Sequence, residues 1–121
     1  MAVKKILIVD DSATERQIMQ ELLSKRGYEC VMAESGEEAV AKARTESPDL
    51  ILMDVVMPGM NGFQATRTIT RDAATRHIPV FICSSKDQET DKVWGIRQGA
   101  AAYLTKPLDE RDLLKRIRAL N

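Results

Sequence analysis

The strongest constraint on this chain is the form of its apolar runs. Residues 6–9, 50–53 and 80–83 are apolar at consecutive rather than alternate positions, which is how parallel strands read when helices cover both faces of their sheet. Residues 101–105 complete the series. The more mixed stretch 28–33 fits an edge strand. Helical patterns fill the intervals, so strand and helix alternate five times with nothing resembling a linker. The pattern predicts one α/β domain over residues 1–121, a (βα)5 doubly wound parallel five-stranded sheet in a three-layer sandwich with right-handed crossovers.

The helices carry their own start and stop signals. Ser12 with Glu15, and Ser35 with Glu38, have the spacing of capping boxes, in which hydroxyl and carboxylate each satisfy a free backbone N–H. The first helix turns Ile18, Leu22 and Leu23 inward and closes at Gly27; the second turns Ala39, Val40 and Ala43 inward and ends before Pro48. A third begins after Asn61-Gly62 with Phe63, Ala65, Thr66 and Ile69 inside. A fourth spans about 87–98 and stops at Gly99. Asp109 caps a fifth, where Leu113, Leu114, Ile117 and Leu120 recur at helical spacing. Met57-Pro58-Gly59-Met60 suits a type II turn, with Pro and Gly central.

The polar residues just past the strands carry the chemistry. The first run ends on Asp10 and Asp11, the third on Asp54, the fourth on Ser84 and Ser85, and the fifth on Lys106-Pro107. Bringing the three acids together requires the first and third strands to be neighbours, which selects the order 2-1-3-4-5. Open α/β sheets bind ligands beyond the carboxyl ends of such strands. Clustered carboxylates need a cation, and Mg²⁺ takes one or two carboxylates plus waters and phosphate oxygens. Asp11 and Asp54 are candidates for direct ligands, with Asp10 acting through water. No Cys or His stands near these acids in sequence, which argues against zinc. A phosphoryl group on Asp54 would be neutralised by the metal and by Lys106, and the Ser84 hydroxyl would donate to it.

The remaining composition narrows the class. Lys plus Arg and Asp plus Glu are 18 each, and this balance argues against nonspecific nucleic-acid binding. No apolar run approaches the ~20 residues of a membrane span, and the first strand begins too soon to leave room for a signal peptide. A cytoplasmic protein is expected, with Cys30 and Cys83 as free thiols. On the second and fourth strands they would lie roughly 14 Å apart, beyond the ~7 Å reach of a disulfide. Cys83 reads as a small buried apolar residue and Trp94 as core, with an interface anchor the alternative. His77 reads as a loop residue, and the charges from Lys86 to Lys92 as a solvated face.

Asp10-Asp11, Asp54 with Met57-Pro58-Gly59 and Asn61-Gly62, Ser84-Ser85, and Tyr103-Leu-Thr-Lys106-Pro107 together resemble the receiver domain of bacterial response regulators. The resemblance covers essentially the whole chain. It implies that Asp54 accepts a phosphoryl group from a sensor histidine kinase or phosphotransfer protein, and that Mg²⁺ is held by Asp10, Asp11, Asp54 and the Val56 carbonyl. It further implies a cis Lys106-Pro107 bond. Ser84 and Tyr103 would be the switch pair, with helix 4, strand 5 and helix 5 as the output face.

Ser84 stands where many relatives have Thr, and the apolar Val56 and Lys86 imply slow hydrolysis. Stretches 61–67, 86–95 and 97–99 are similar to stand-alone regulators of type IV pilus twitching motility, and a flagellar-switch regulator is the nearest competitor. The implied target is a pilus motor or chemosensory component, the implied state a monomer, with weak dimerisation the alternative. The protein would be a switch and not an enzyme. A phosphate sink and a scaffold that is never phosphorylated stay open. An aspartyl-phosphate phosphatase would place Asp where Val56 stands, and a flavodoxin-like carrier would need a Ser/Thr/Gly-rich loop after the first strand.

Overall fold

A computed structural model describes residues 2–121. The chain runs β1 (Lys5–Val9), α1 (Ala13–Ser24), β2 (Glu29–Ala33), α2 (Gly36–Glu46), β3 (Leu50–Met53), α3 (Gly62–Arg71), β4 (Val80–Ser84), α4 (Glu89–Arg97), β5 (Ala102–Thr105) and α5 (Glu110–Arg118). All four strand pairings are parallel, in the order β2-β1-β3-β4-β5. This is the architecture expected from the apolar runs. Among the described residues no helix is long and apolar enough to cross a membrane.

The consecutive apolar residues divide between two cores because successive strand side chains point to opposite faces. Leu7, Val9, Ile51, Met53, Val80 and Ile82 pack with Ala39, Ala43, Phe63, Ala65 and Ile69 of α2 and α3. Ile6, Ile8, Leu50, Leu52, Phe81 and Leu104 pack with Leu23 of α1 and with Leu113, Leu114 and Ile117 of α5. Each of the larger side chains among these, Val, Leu, Ile, Met or Phe, contributes roughly 1.5–3 kcal/mol by leaving water. The edge strand β2 is only partly buried until Ala33. Cys83 belongs to the second core, and both cysteines are free thiols.

Local details depart from the expected pattern in five places. Ser12 and Ser35 accept from the Glu15 and Glu38 N–H groups, as expected, but neither glutamate returns the bond. The Ser12 N–H is taken by Asp10 Oδ1 at 3.0 Å, and Glu38 pairs with Lys42 at 3.0 Å. The complete capping box is on α3, between Asn61 and Gln64. Helix α4 starts at Glu89, two residues late, with no side-chain cap on Gln88. Ile18 is 54% exposed and Trp94 49% exposed, so neither is a core residue. In the 57–60 turn, Gly59 takes φ +72°, the left-handed value that a type II turn requires at its third position.

Candidate functional site

Backbone register aligns the acids before any side chain is considered. Val9 pairs with Met53 across β1 and β3. The Asp54 N–H donates to the Val9 carbonyl at 3.0 Å, and the Asp10 N–H to the Ala33 carbonyl at 3.1 Å. One oxygen from each of Asp10, Asp11 and Asp54 then lies within 4.8 Å of the others. Asp10 is buried and Asp11 exposed, so the group sits in a recess open to solvent on one side.

Lys106 closes the site from β5. Its N–H donates to the Ser84 carbonyl at 2.8 Å, which sets it beside the end of β4. Its ammonium lies 3.0 Å from Asp10 Oδ2 and 3.4 Å from Asp54 Oδ1. The Lys106-Pro107 bond is cis, as expected. Burial opposes the charged ammonium, but the Asp10 hydrogen bond and the Asp54 and Asp10 charges outweigh it, and the net shift of its pKa is upward. Asp54 is also raised, chiefly by burial; Lys106 draws it back, and Asp10 adds repulsion. Three carboxylates against one ammonium leave two negative charges in a cluster of hard oxygen donors. That donor set fits a divalent cation of the Mg²⁺ kind.

Ser84 is fully buried at the end of β4. Its Oγ accepts the Lys86 N–H at 3.1 Å, leaving the hydroxyl proton for another acceptor. Val56 lies in the loop after Asp54, its side chain 58% exposed, and its carbonyl accepts no hydrogen bond among the described residues. The Tyr103 hydroxyl donates to the Lys86 carbonyl at 2.7 Å. Asp10, Asp11, Asp54 and Lys106 are thus brought into one group, with Ser84 joined to it through the Lys106 peptide.

A family model described as the response regulator receiver domain matches residues 6–118. The chain belongs to the response regulator receiver domain family. It is 60% identical to Protein PilH of Pseudomonas aeruginosa over 116 residues, 96% of each chain. It is 40% identical to the phosphate regulon transcriptional regulatory protein PhoB of the same species over 120 residues, and spans 52% of that longer relative. Among solved structures, chemotaxis protein CheY4 of Vibrio cholerae superposes with a TM-score of 0.90 at 33% identity, covering 99% of this chain and all of that one.

The structure also places beside these acids residues to which the sequence pattern assigned no part in the site. The Arg16 guanidinium donates to the Asp10 carbonyl at 2.6 Å, clamping the end of β1 from α1. An arginine one turn into a helix gives no sign of that contact in sequence. Ile18, Met19, Leu22, Cys83 and Leu108 line a cavity of about 480 Å³ that reaches Asp54 and Lys106. Ile18 is therefore a wall of this cavity rather than part of the core. Burial pushes the Cys83 thiol up to about 12, so it stays protonated and apolar in character.

Gly62 packs directly against the backbone of Asp54. A Cβ there would stand 2.0 Å from the Asp54 carbonyl oxygen, while the Gly62 N–H donates to the Val55 carbonyl at 3.0 Å. Glycine lets the start of α3 lie against the backbone just past the end of β3.

Proposed function

We propose that this receiver is a phosphorylation-switched signalling protein whose Asp54 accepts a phosphoryl group. The observation that carries the reading is the placement of the Lys106 ammonium against Asp10 and Asp54, within a triad of carboxylates whose charge it does not balance. Asp10, Asp11, Asp54 and the Val56 carbonyl would hold Mg²⁺, which supplies positive charge to the phosphoryl oxygens. The donor is a phosphohistidine on a sensor kinase or phosphotransfer protein. An Asp54 oxygen attacks phosphorus in line, the P–N bond breaks, and the departing imidazole nitrogen takes a proton. Lys106 leaves its ion pairs to meet the added anionic oxygens. Ser84 donates its hydroxyl proton to one of them.

The output leaves through α4, β5 and α5, with Ser84 and Tyr103 as the coupled pair. A complete reversal of two states from 1:99 to 99:1 needs about 5.5 kcal/mol of differential stabilisation; a smaller bias gives graded output. Similarity to PilH along 96% of that relative supports a role in twitching-motility signalling, on a pilus motor or chemosensory component. The test is Mg²⁺-dependent modification of purified protein by acetyl phosphate, read by intact mass beside Asp54→Asn. A phosphoryl adduct on the parent alone is expected. No adduct with Mg²⁺ bound, and none from a panel of kinases, would leave a scaffold instead.

A further inference from the structure

Helix α4 buries one residue, Gly95, and turns Val93, Trp94 and Ile96 outward. A Cβ built on Gly95 would lie 2.8 Å from Tyr103 Cδ2, 3.2 Å from Tyr103 Cε2 and 3.0 Å from Ile82 Cδ1. Ordinary carbon contacts are about 3.5–4.0 Å. Glycine in the interior of a helix is the least favourable residue after proline. Gly95 also has no left-handed φ that would call for it. Space is the reason that remains: the Tyr103 ring lies on bare helix backbone, at the distance that lets its hydroxyl reach the Lys86 carbonyl.

We propose that Gly95 is the positioning residue of the Tyr103 switch, a seat of bare backbone on α4 that admits the aromatic ring. This rests on the signalling role proposed for Asp54 and names the residue that decides whether Tyr103 can occupy its place. A methyl group at 95 meets a whole edge of the ring, Cδ2 and Cε2 together, at distances shorter than an ordinary carbon contact. To restore an ordinary contact the ring moves away from α4, and a movement of the whole ring carries the hydroxyl with it. Ile82 Cδ1, by contrast, is the end of a flexible side chain and can turn aside. The obstruction is therefore specific to Tyr103.

The test compares Gly95→Ala with the parent, both carrying Tyr28→Phe so that Tyr103 is the one remaining tyrosine. In the parent the phenol titrates above its ordinary value, held there chiefly by burial, with Asp91, Asp87 and Asp54 adding repulsion and Ser84 opposing it. Ultraviolet titration of Gly95→Ala should move toward the ordinary value near 10, while acetyl phosphate still modifies Asp54 at the parental rate. A folded Gly95→Ala protein with unchanged titration would overturn the proposal.

Melting temperatures give a second reading that survives a poorly folded variant. Gly95→Ala should lower the melting temperature beside Tyr103 and raise it in a Tyr103→Ala background, where the ring is gone. The same loss in both backgrounds would also overturn it. Absence of an Asp54 adduct in the parent strikes the signalling reading, and the switch role with it; the titration and the melting cycle are read without phosphorylation, so the two failures are distinguishable.

Discussion

The Tyr103 hydroxyl donates to the Lys86 carbonyl at 2.7 Å, tying β5 to the turn that leads from β4 into α4. Lys86 in turn gives its N–H to Ser84 Oγ at 3.1 Å. The aromatic and the buried hydroxyl are thus joined through one residue of the loop between them. A pull on Ser84 is a pull on the carbonyl that holds Tyr103.

Tyr103→Phe keeps the ring and removes that bond. Because the Lys86 carbonyl can turn to water, the stability loss should sit at or below the low end for a hydrogen bond, about 0.5 kcal/mol, read as a small fall in urea midpoint. Phosphorylation of Asp54 should proceed unchanged, since the hydroxyl touches none of the carboxylates. Amide exchange at residues 85–88 should quicken. An unchanged loop would show that the bond does not hold it.

The contrast between what was legible in the sequence and what was not is itself physical. Consecutive apolar residues at 6–9, 50–53 and 80–83 demand burial on both faces, and polar residues directly after them have one place to go, so the sheet and its carboxylates could be read together. Trp94 and Ile18 could not. Gly95 rather than Trp94 is the α4 residue that lies against Tyr103, a partner on β5, and Ile18 lines a cavity formed with Leu108 from the other end of the chain. Likewise Glu15 and Glu38 have the spacing for capping boxes, but competition from the Asp10 carboxylate and the Lys42 ammonium is visible only in three dimensions.

Val56 offers the proposed phosphoryl site an apolar, solvent-exposed side chain two residues after Asp54. It has no group with which to orient an attacking water, so loss of phosphate should be slow in the parent. Val56→Asn supplies a donor and an acceptor at that position and should shorten the phosphorylated lifetime by up to about tenfold, equal to ~1.4 kcal/mol of barrier. The decay of the acyl phosphate followed by intact mass checks it. A parental lifetime of seconds, unmoved by the substitution, would count against the reading.

Asp49 makes a pH-dependent contribution far from the site. One of its oxygens accepts the Lys4 and Lys5 N–H groups at 2.9 Å each, joining the start of β3 to the start of β1. The bond from Lys5, then that from Lys4, hold its pKa below the ordinary value, against some burial. A depressed acid stabilises the fold above its unfolded pKa of about 3.9 and loses that contribution as pH falls through the folded value. Asp49→Asn should therefore cost about 1 kcal/mol at pH 7, discounted from the usual range for a charged acceptor because the group is partly solvated. Denaturant titrations of the two proteins should converge as pH falls through the folded value. A constant difference across that range would mean that the carboxylate charge is irrelevant.

Gly62→Ala is the substitution that most directly tests how the fold supports Asp54. The new methyl would overlap the Asp54 carbonyl oxygen at 2.0 Å, its carbon at 2.8 Å and Val55 Cα at 2.8 Å. All three are backbone atoms, so no side chain can turn aside, and either α3 shifts or the end of β3 does. Overpacking of this kind costs about 3 kcal/mol, set against a helix-propensity gain from glycine to alanine of ~1 kcal/mol, which leaves a net loss of roughly 2 kcal/mol. At the first position of α3 that gain is itself at its smallest. The displacement reaches Asp54 through its own carbonyl, so Mg²⁺ affinity and the rate of modification by acetyl phosphate should fall together, in protein that circular dichroism shows to be folded. Loss of stability with both site properties intact would place the strain on α3 alone and leave Gly62 as a packing residue.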